Sequence, residues 1–160
     1  MIKKSMKKVT IYTDGACSGN PGFGGFGAIL RFGRIEKIIQ GAHSNTTNNQ
    51  MEMLAVIRAL ETLTESCEVA IYTDSQYVKN GITQWIQNWL LNNWKNSAKK
   101  SVKNKGLWQR MLTAIEKHKV SWHWVRGHAG NEYNEKADAL ATGAIDLLRK
   151  GKITEEIFTI

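Results

Sequence analysis

The tetrapeptide Ile-Tyr-Thr-Asp occurs twice in the chain, at residues 11–14 and again at residues 71–74. Ile, Tyr and Thr favour strands, whereas Asp is depleted from them. Each copy therefore reads as a strand that ends on a carboxylate, Asp14 in one and Asp74 in the other. Side chains alternate along a strand, so each Asp shares a face with the Tyr two residues before it. If the two strands are neighbours with matching ends, the carboxylates sit side by side. Like charges that close repel and raise a pKa unless something positive lies between them. Either Asp alone reads as an ordinary strand end or helix N-cap; the matched pair asks for a cation.

The flanking patterns supply the rest of a sheet. Residues Lys8 to Thr13, Gly24 to Phe32 and Ile35 to His43 predict three strands, the last two joined by a turn at Gly33-Arg34, which suggests an antiparallel meander. From Asn48 the period changes to that of a helix, with Met53, Val56, Ile57, Leu60 and Leu63 in one stripe. Val69 to Thr73 predicts a strand, Gln76 to Leu91 a mostly helical stretch, and Lys95 to Gly106 a loop. Leu107 to Lys117 predicts a helix, Val120 to Val125 a strand, and Glu135 to Leu148 a last helix ending near Gly151. One sheet with helices gathered around it is an α/β or layered α+β fold. At 160 residues the chain is expected to be one domain, with a core over about 8–148, a basic region over 76–108 and a tail over 149–160.

Two further acids fit the same picture. Glu52 lines up with Val56, Ala59 and Leu63 at about 100° per residue, on the inward side of its helix near the first turn. Asp138 flanks the stripe Ala137, Ala141, Ala144 and Leu148 at the start of the last helix. Either could simply favour a helix N-terminus, but an inward carboxylate is costly unless paired or bound to a cation. Oxygen donors without thiolate or clustered imidazole suit Mg²⁺ or Mn²⁺ rather than zinc. Divalent ions held in pairs by carboxylates activate water in phosphodiester cleavage.

Charge points the same way. The formal net charge is +8, and no acid occurs from Ser75 to Ile115, a stretch that holds Lys79, Lys95, Lys99, Lys100, Lys103, Lys105 and Arg110. Such a field attracts polyanions and is screened by salt. Cys17 and Cys67 stand in unrelated contexts and are expected as free thiols. The N-terminal segment has charge without the apolar run of a signal peptide, and no segment suits a membrane span. A cytoplasmic protein is expected. The residues together favour a metal-dependent nuclease.

Four segments, TDGACSGNPG, TTNNQMEMLAV, YTDSQYVKNGITQWI and WVRGHAGNEYNEKADALA, resemble in order the motifs of bacterial type 1 ribonuclease H. The resemblance spans roughly Val9 to Ala144. It implies a five-stranded mixed sheet with the strands bearing Asp14 and Asp74 adjacent, and hydrolysis of the RNA strand of RNA–DNA hybrids by a monomer. Asp14, Glu52, Asp74 and Asp138 fall on the family's metal-binding carboxylates, which implies two Mg²⁺ ions in the substrate complex, with Mn²⁺ as a substitute. His128 falls on the family's loop histidine; an imidazole that titrates near neutrality could pass a proton to the leaving 3′-oxygen or help release product.

The resemblance also distributes substrate contacts. RNA is distinguished from DNA by 2′-hydroxyls in a wide, shallow minor groove. Gly15, Cys17, Asn20, Asn48, Asn49 and Gln76 match its minor-groove readers, and Thr47 and Asn104 a pocket for a DNA-strand phosphate. Tyr77, Trp85, Trp89 and Ser97 match the DNA-strand channel of a protruding basic handle, where Lys95, Lys99, Lys100 and Lys103 would meet phosphates. Gln50 stands where family members usually carry Arg, and Phe23 where Pro is frequent; the tail KGKITEEIFTI matches nothing. Two other readings use the same residues: a module that grips nucleic acid without cutting it, and a same-fold nuclease for branched or all-DNA substrates. The full acid set and His128 count against the first, the Asn-rich minor-groove set against the second.

Overall fold

A computed structural model describes residues 6–126 and 131–160. Its centre is a five-stranded mixed sheet: β1 (Lys7–Gly19), β2 (Gly22–Phe32), β3 (Ile35–Thr46), β4 (Cys67–Thr73) and β5 (Lys119–Trp124), in the order β3-β2-β1-β4-β5. The first three strands form the expected antiparallel meander, and β4 and β5 join parallel to β1. Helices α1 (Asn48–Thr62), α2 (Gln76–Asn80), α3 (Ile86–Leu91), α4 (Lys105–Glu116) and α5 (Glu132–Arg149) complete the fold, with a π-helical turn, Gly81–Trp85, between α2 and α3.

The repeated tetrapeptides are neighbours in register: Ile11 is opposite Ile71 and Tyr12 opposite Tyr72. Asp14 is not at a strand end, however. The ladder with β4 stops at Tyr12, while β1 continues to Gly19 along β2. The continuation is rich in Gly and small residues that strand propensity alone does not favour; its hairpin partner β2 supplies the hydrogen bonds that carry it.

Helix α1 packs against β1 on one face of the sheet, and α5 covers β1, β2 and β3 on the other. Small residues make both contacts close. A Cβ on Gly15 would lie 2.5 Å from the Glu52 amide nitrogen of α1. On the opposite face, a Cβ on Gly27 would meet the Ala137 carbonyl of α5 at 2.7 Å, and Gly27 is the β2 partner of Asp14. The expected stripe on α1 widens into burial on nearly every side, with Met51, Met53, Leu54, Val56 and Ile57 all inaccessible. The reason is that α1 lies between the sheet and α4; each such side chain contributes about 1.5–3 kcal/mol by leaving water.

The tail that matches no motif is a clip. The Glu156 amide donates to the Ala42 carbonyl at 2.7 Å, the Ser44 amide donates to Glu155 Oε1 at 2.8 Å, and Arg58 of α1 pairs with the Glu156 carboxylate. Phe23 is accommodated by Arg149, whose guanidinium stacks 4.5 Å from its ring centre and whose Nη2 donates to Ser18 Oγ. Cys17 and Cys67 are free thiols. Three histidines without assigned chemistry have local roles: Nδ1 of His43 and of His118 accepts from the Asn45 and Cys67 amides, and His123 stacks on Tyr72. Among the described residues no helix is long and apolar enough to cross a membrane.

Candidate metal and nucleic-acid site

The carboxylates of Asp14, Glu52 and Asp74 each offer an oxygen within 4.8 Å of the other two. Three separate pieces of chain make this trio: the interior of β1, the second turn of α1, and the residue after β4. Asp74 does not cap a helix; Ser75 takes that place, its hydroxyl accepting from the Val78 amide. Asp138, half-buried on α5, is not a member of the trio. Its neighbour Ala137 packs on Gly27 opposite Asp14, so α5 brings it to the same end of the sheet. His128 lies outside the described residues.

The trio is electrostatically strained without a cation. Asp14 and Glu52 are only 4% and 6% exposed. Burial pushes the Glu52 carboxyl well above the ordinary carboxylate range, and the charges of Asp14 and Asp74 push it further; the Gly15 amide pulls it back only in part. Glu52 Oε2 is buried and accepts no hydrogen bond among the described residues, and the fully buried Thr13 hydroxyl also lacks a partner. Carboxylate oxygens converging from three elements are the chemistry a hard divalent cation requires. The donor set fits Mg²⁺ or Mn²⁺.

The residues matched to minor-groove reading lie on the same stretches of chain as the trio, along β1 and at the starts of α1 and α2. The Asn48 amide donates to Asn20 Oδ1 at 3.4 Å, tying the β1–β2 turn to the start of α1. Asn48, Asn49 and Gln76 are exposed in first helical turns. Gly15 is where α1 presses on β1, and Cys17 lies further along β1 with its thiol directed to the Thr46 carbonyl at 3.4 Å. Thr47 is the N-cap of α1.

The handle is built differently. A Cβ on Gly81 would collide with the Trp108 ring, so glycine lets that ring lie on the backbone at the π-helical turn. Tyr77 stacks on Trp108 and meets Trp85 edge-on, while Trp85 and Trp89, four apart, have ring centres 5.8 Å apart. Beyond them Asn93, Trp94, Lys99 and Asn104 adopt positive φ. Ser97 lines an open cavity of about 730 Å³ with Trp89, Lys95 and Lys99. Asn104 is buried rather than open to solvent, its amide bonded to Gln50 and Tyr77.

Gln50 is the residue whose part the sequence reading missed. It completes a capping box: Thr47 Oγ1 accepts from the Gln50 amide, and Gln50 Oε1 accepts from the Thr47 amide. The signal was present in the spacing Thr-x-x-Gln ahead of an apolar helix.

Known proteins complete the assignment. The profile of the RNase H family matches residues 6–146. A ribonuclease H of Rhodopseudomonas palustris (strain BisB5) is 62% identical over 136 residues, covering 85% of this chain and 91% of that protein. The ribonuclease H of Chromohalobacter salexigens is 53% identical over 147 residues, covering 92% and 90%. The crystal structure of LC9-RNase H1, a type 1 RNase H with the type 2 active-site motif, is 27% identical, with a TM-score of 0.80 over 99% of this chain and 91% of that one. The chain belongs to the bacterial ribonuclease H family, a family of hydrolytic endoribonucleases.

Proposed function

We propose that the protein cuts the RNA strand of RNA–DNA hybrids internally, leaving 5′-phosphate and 3′-hydroxyl ends, with two Mg²⁺ ions that Mn²⁺ can replace. The observation that carries this reading is the trio of buried Asp14 and Glu52 with half-buried Asp74, their oxygens within 4.8 Å of one another. These three would hold the ions, with Asp138 completing the set from α5. When bound, the ions activate the attacking water and stabilise the leaving oxygen. Glu52 must give up its proton for the ions to load, because burial and two neighbouring acids favour its neutral form.

The remaining residues position substrate. Gly15, Cys17, Asn20, Asn48, Asn49 and Gln76 surround the trio with short groups suited to 2′-hydroxyls. Tyr77, Trp85, Trp89 and Ser97 receive the DNA strand, whose phosphates meet the handle lysines and a pocket to which Thr47 and, from beneath, buried Asn104 contribute. His128 passes a proton to the leaving 3′-oxygen. The protein acts as a single-domain monomer in the cytoplasm. A labelled hybrid, an RNA duplex and a DNA duplex incubated side by side with Mg²⁺ test the reading. Cleavage confined to the hybrid's RNA strand is expected; an uncut hybrid, or a cut DNA duplex, overturns it.

A further inference from the structure

Five polar groups form a continuous chain between the start of α1 and the handle. The Thr46 hydroxyl donates to Gln50 Oε1 at 2.8 Å, Gln50 Nε2 donates to Asn104 Oδ1 at 3.1 Å, and Asn104 Nδ2 donates to the Tyr77 hydroxyl oxygen at 3.1 Å. Trp108 Nε1 reaches the same hydroxyl oxygen at 3.2 Å. Gln50 and Asn104 are 7% and 4% exposed, so water does not readily substitute for a missing partner.

The direction of this chain is fixed at both ends by groups that can only donate. The Thr47 backbone N–H points at the Gln50 carboxamide, which must answer with Oε1. Its Nε2 is then committed to Asn104, which must answer with Oδ1 and offer Nδ2 onward. At the far end the indole N–H of Trp108 has no acceptor capacity, so the Tyr77 oxygen accepts from both sides. With those two bonds accepted, the Tyr77 O–H proton is left over. Among the described residues no group accepts it, and Tyr77 lines an open groove with Trp85, Trp89 and Lys103.

We infer that Gln50 is a positioning residue, which orients the Asn104 amide and thereby turns the Tyr77 hydroxyl proton outward, as a donor to a phosphodiester oxygen of the hybrid's DNA strand. The inference rests on the hybrid-cleaving reading above, and adds to it a route by which a neutral residue contributes to strand binding. Glutamine serves both ends: it accepts from the cap of α1 and donates to the cap of α4 at once. An arginine there could still donate to Asn104 Oδ1 but would face the Thr47 N–H with another donor, so the link to the α1 cap is what glutamine adds.

The test is a double-mutant cycle on hybrid cleavage, with wild type confirmed active. Gln50→Met keeps length and removes all three side-chain bonds; Tyr77→Phe removes the outward proton. Each is expected to raise KM about tenfold, the worth of one charge-assisted hydrogen bond, with kcat within about twofold. The double variant is expected to be no worse than either single one. Gln50→Glu, which cannot donate to Asn104 Oδ1, should flip that amide and draw the Tyr77 proton inward, giving a similar rise in KM that disappears in the Tyr77→Phe background. Multiplying losses in the cycle, or a fall in kcat with KM unchanged, overturns the inference while leaving hybrid cleavage intact. Inactive wild type overturns the functional reading instead. If Gln50→Met fails to fold by circular dichroism, the cycle with Gln50→Glu decides by the same criterion.

Discussion

The carboxylate end of the sheet and the handle, both assigned to one substrate surface in the proposed function, hold their residues by opposite means. Asp14 and Glu52 are buried and positioned by strand register and by a helix pressed on glycine. Around the handle, Leu91 is 84% exposed, and four non-glycine residues adopt positive φ between Asn93 and Asn104. A metal ion tolerates little error in ligand position, so rigid elements suit it. A charged, irregular polymer backbone is met better by a groove of rings and flexible lysines. In the proposed function, chemistry falls to the rigid scaffold and affinity to the irregular handle.

That division can be broken most severely at the trio. Asp14→Asn or Asp74→Asn is expected to lower the rate of hybrid cleavage by about a thousandfold or more, since each removes a metal ligand. Fluorescence anisotropy without divalent ion should show hybrid binding retained or tightened, because repulsion toward phosphate falls. Lost binding would mean that the two regions do not divide the labour as described.

Gly15→Ala strikes the same end through packing. Its Cβ would lie 2.5 Å from one backbone atom and 2.7 Å from another in α1, where no side chain can swing away. A loss of about 2–3 kcal/mol in urea unfolding is expected, with activity falling as Glu52 is displaced. A fully stable, fully active variant would show that α1 can shift freely.

Glu52 sharpens the comparison through pH. Its folded pKa is raised, so the proton is held more tightly in the native state than in the unfolded chain. In EDTA, the contribution of Glu52 to stability should be fully present below the ordinary value of 4.5 and be lost as pH rises through the raised native value. Thermal melts of Glu52→Gln should lack this decline, and Mg²⁺ should restore wild-type stability at neutral pH. A wild-type melting temperature that is flat over that range contradicts a strained trio.

The smallest effect is expected at the handle surface. Lys99→Gln should leave kcat unchanged and reduce the slope of log affinity against log salt by about 1. A change in kcat there would blur the boundary between the two regions.

What could be read from sequence follows the same division. Duplicated Ile-Tyr-Thr-Asp predicts two strands with carboxylates on corresponding faces, because side-chain parity and strand propensity act locally; their adjacency comes from the family resemblance, and Asp14 and Asp74 do meet. The length of β1 was not legible: Gly15 to Gly19 have no strand preference of their own, and only β2 makes them a strand. The tail was opaque for a related reason, since Glu155 and Glu156 find partners more than 90 residues earlier in the chain. Gln50 read as a missing charge. Its role as a link between two helix caps depends on Asn104, 54 positions away, and no periodicity reports such a distance.

The register of β1 on β4 has one more consequence. Adjacent strands lie about 4.8 Å apart because a peptide hydrogen bond sets that spacing, and Asp14 and Asp74 follow two residues beyond the last matched pair, Tyr12 and Tyr72. The backbone ladder thus sets the starting gauge for the two acids, common to every sequence that can form it. Conservative exchanges along Val9 or Val69 leave that gauge untouched, whereas one inserted residue between Cys67 and Thr73 turns an acid to the wrong side. Evolution is free to repaint this strand pair but not to re-rule it.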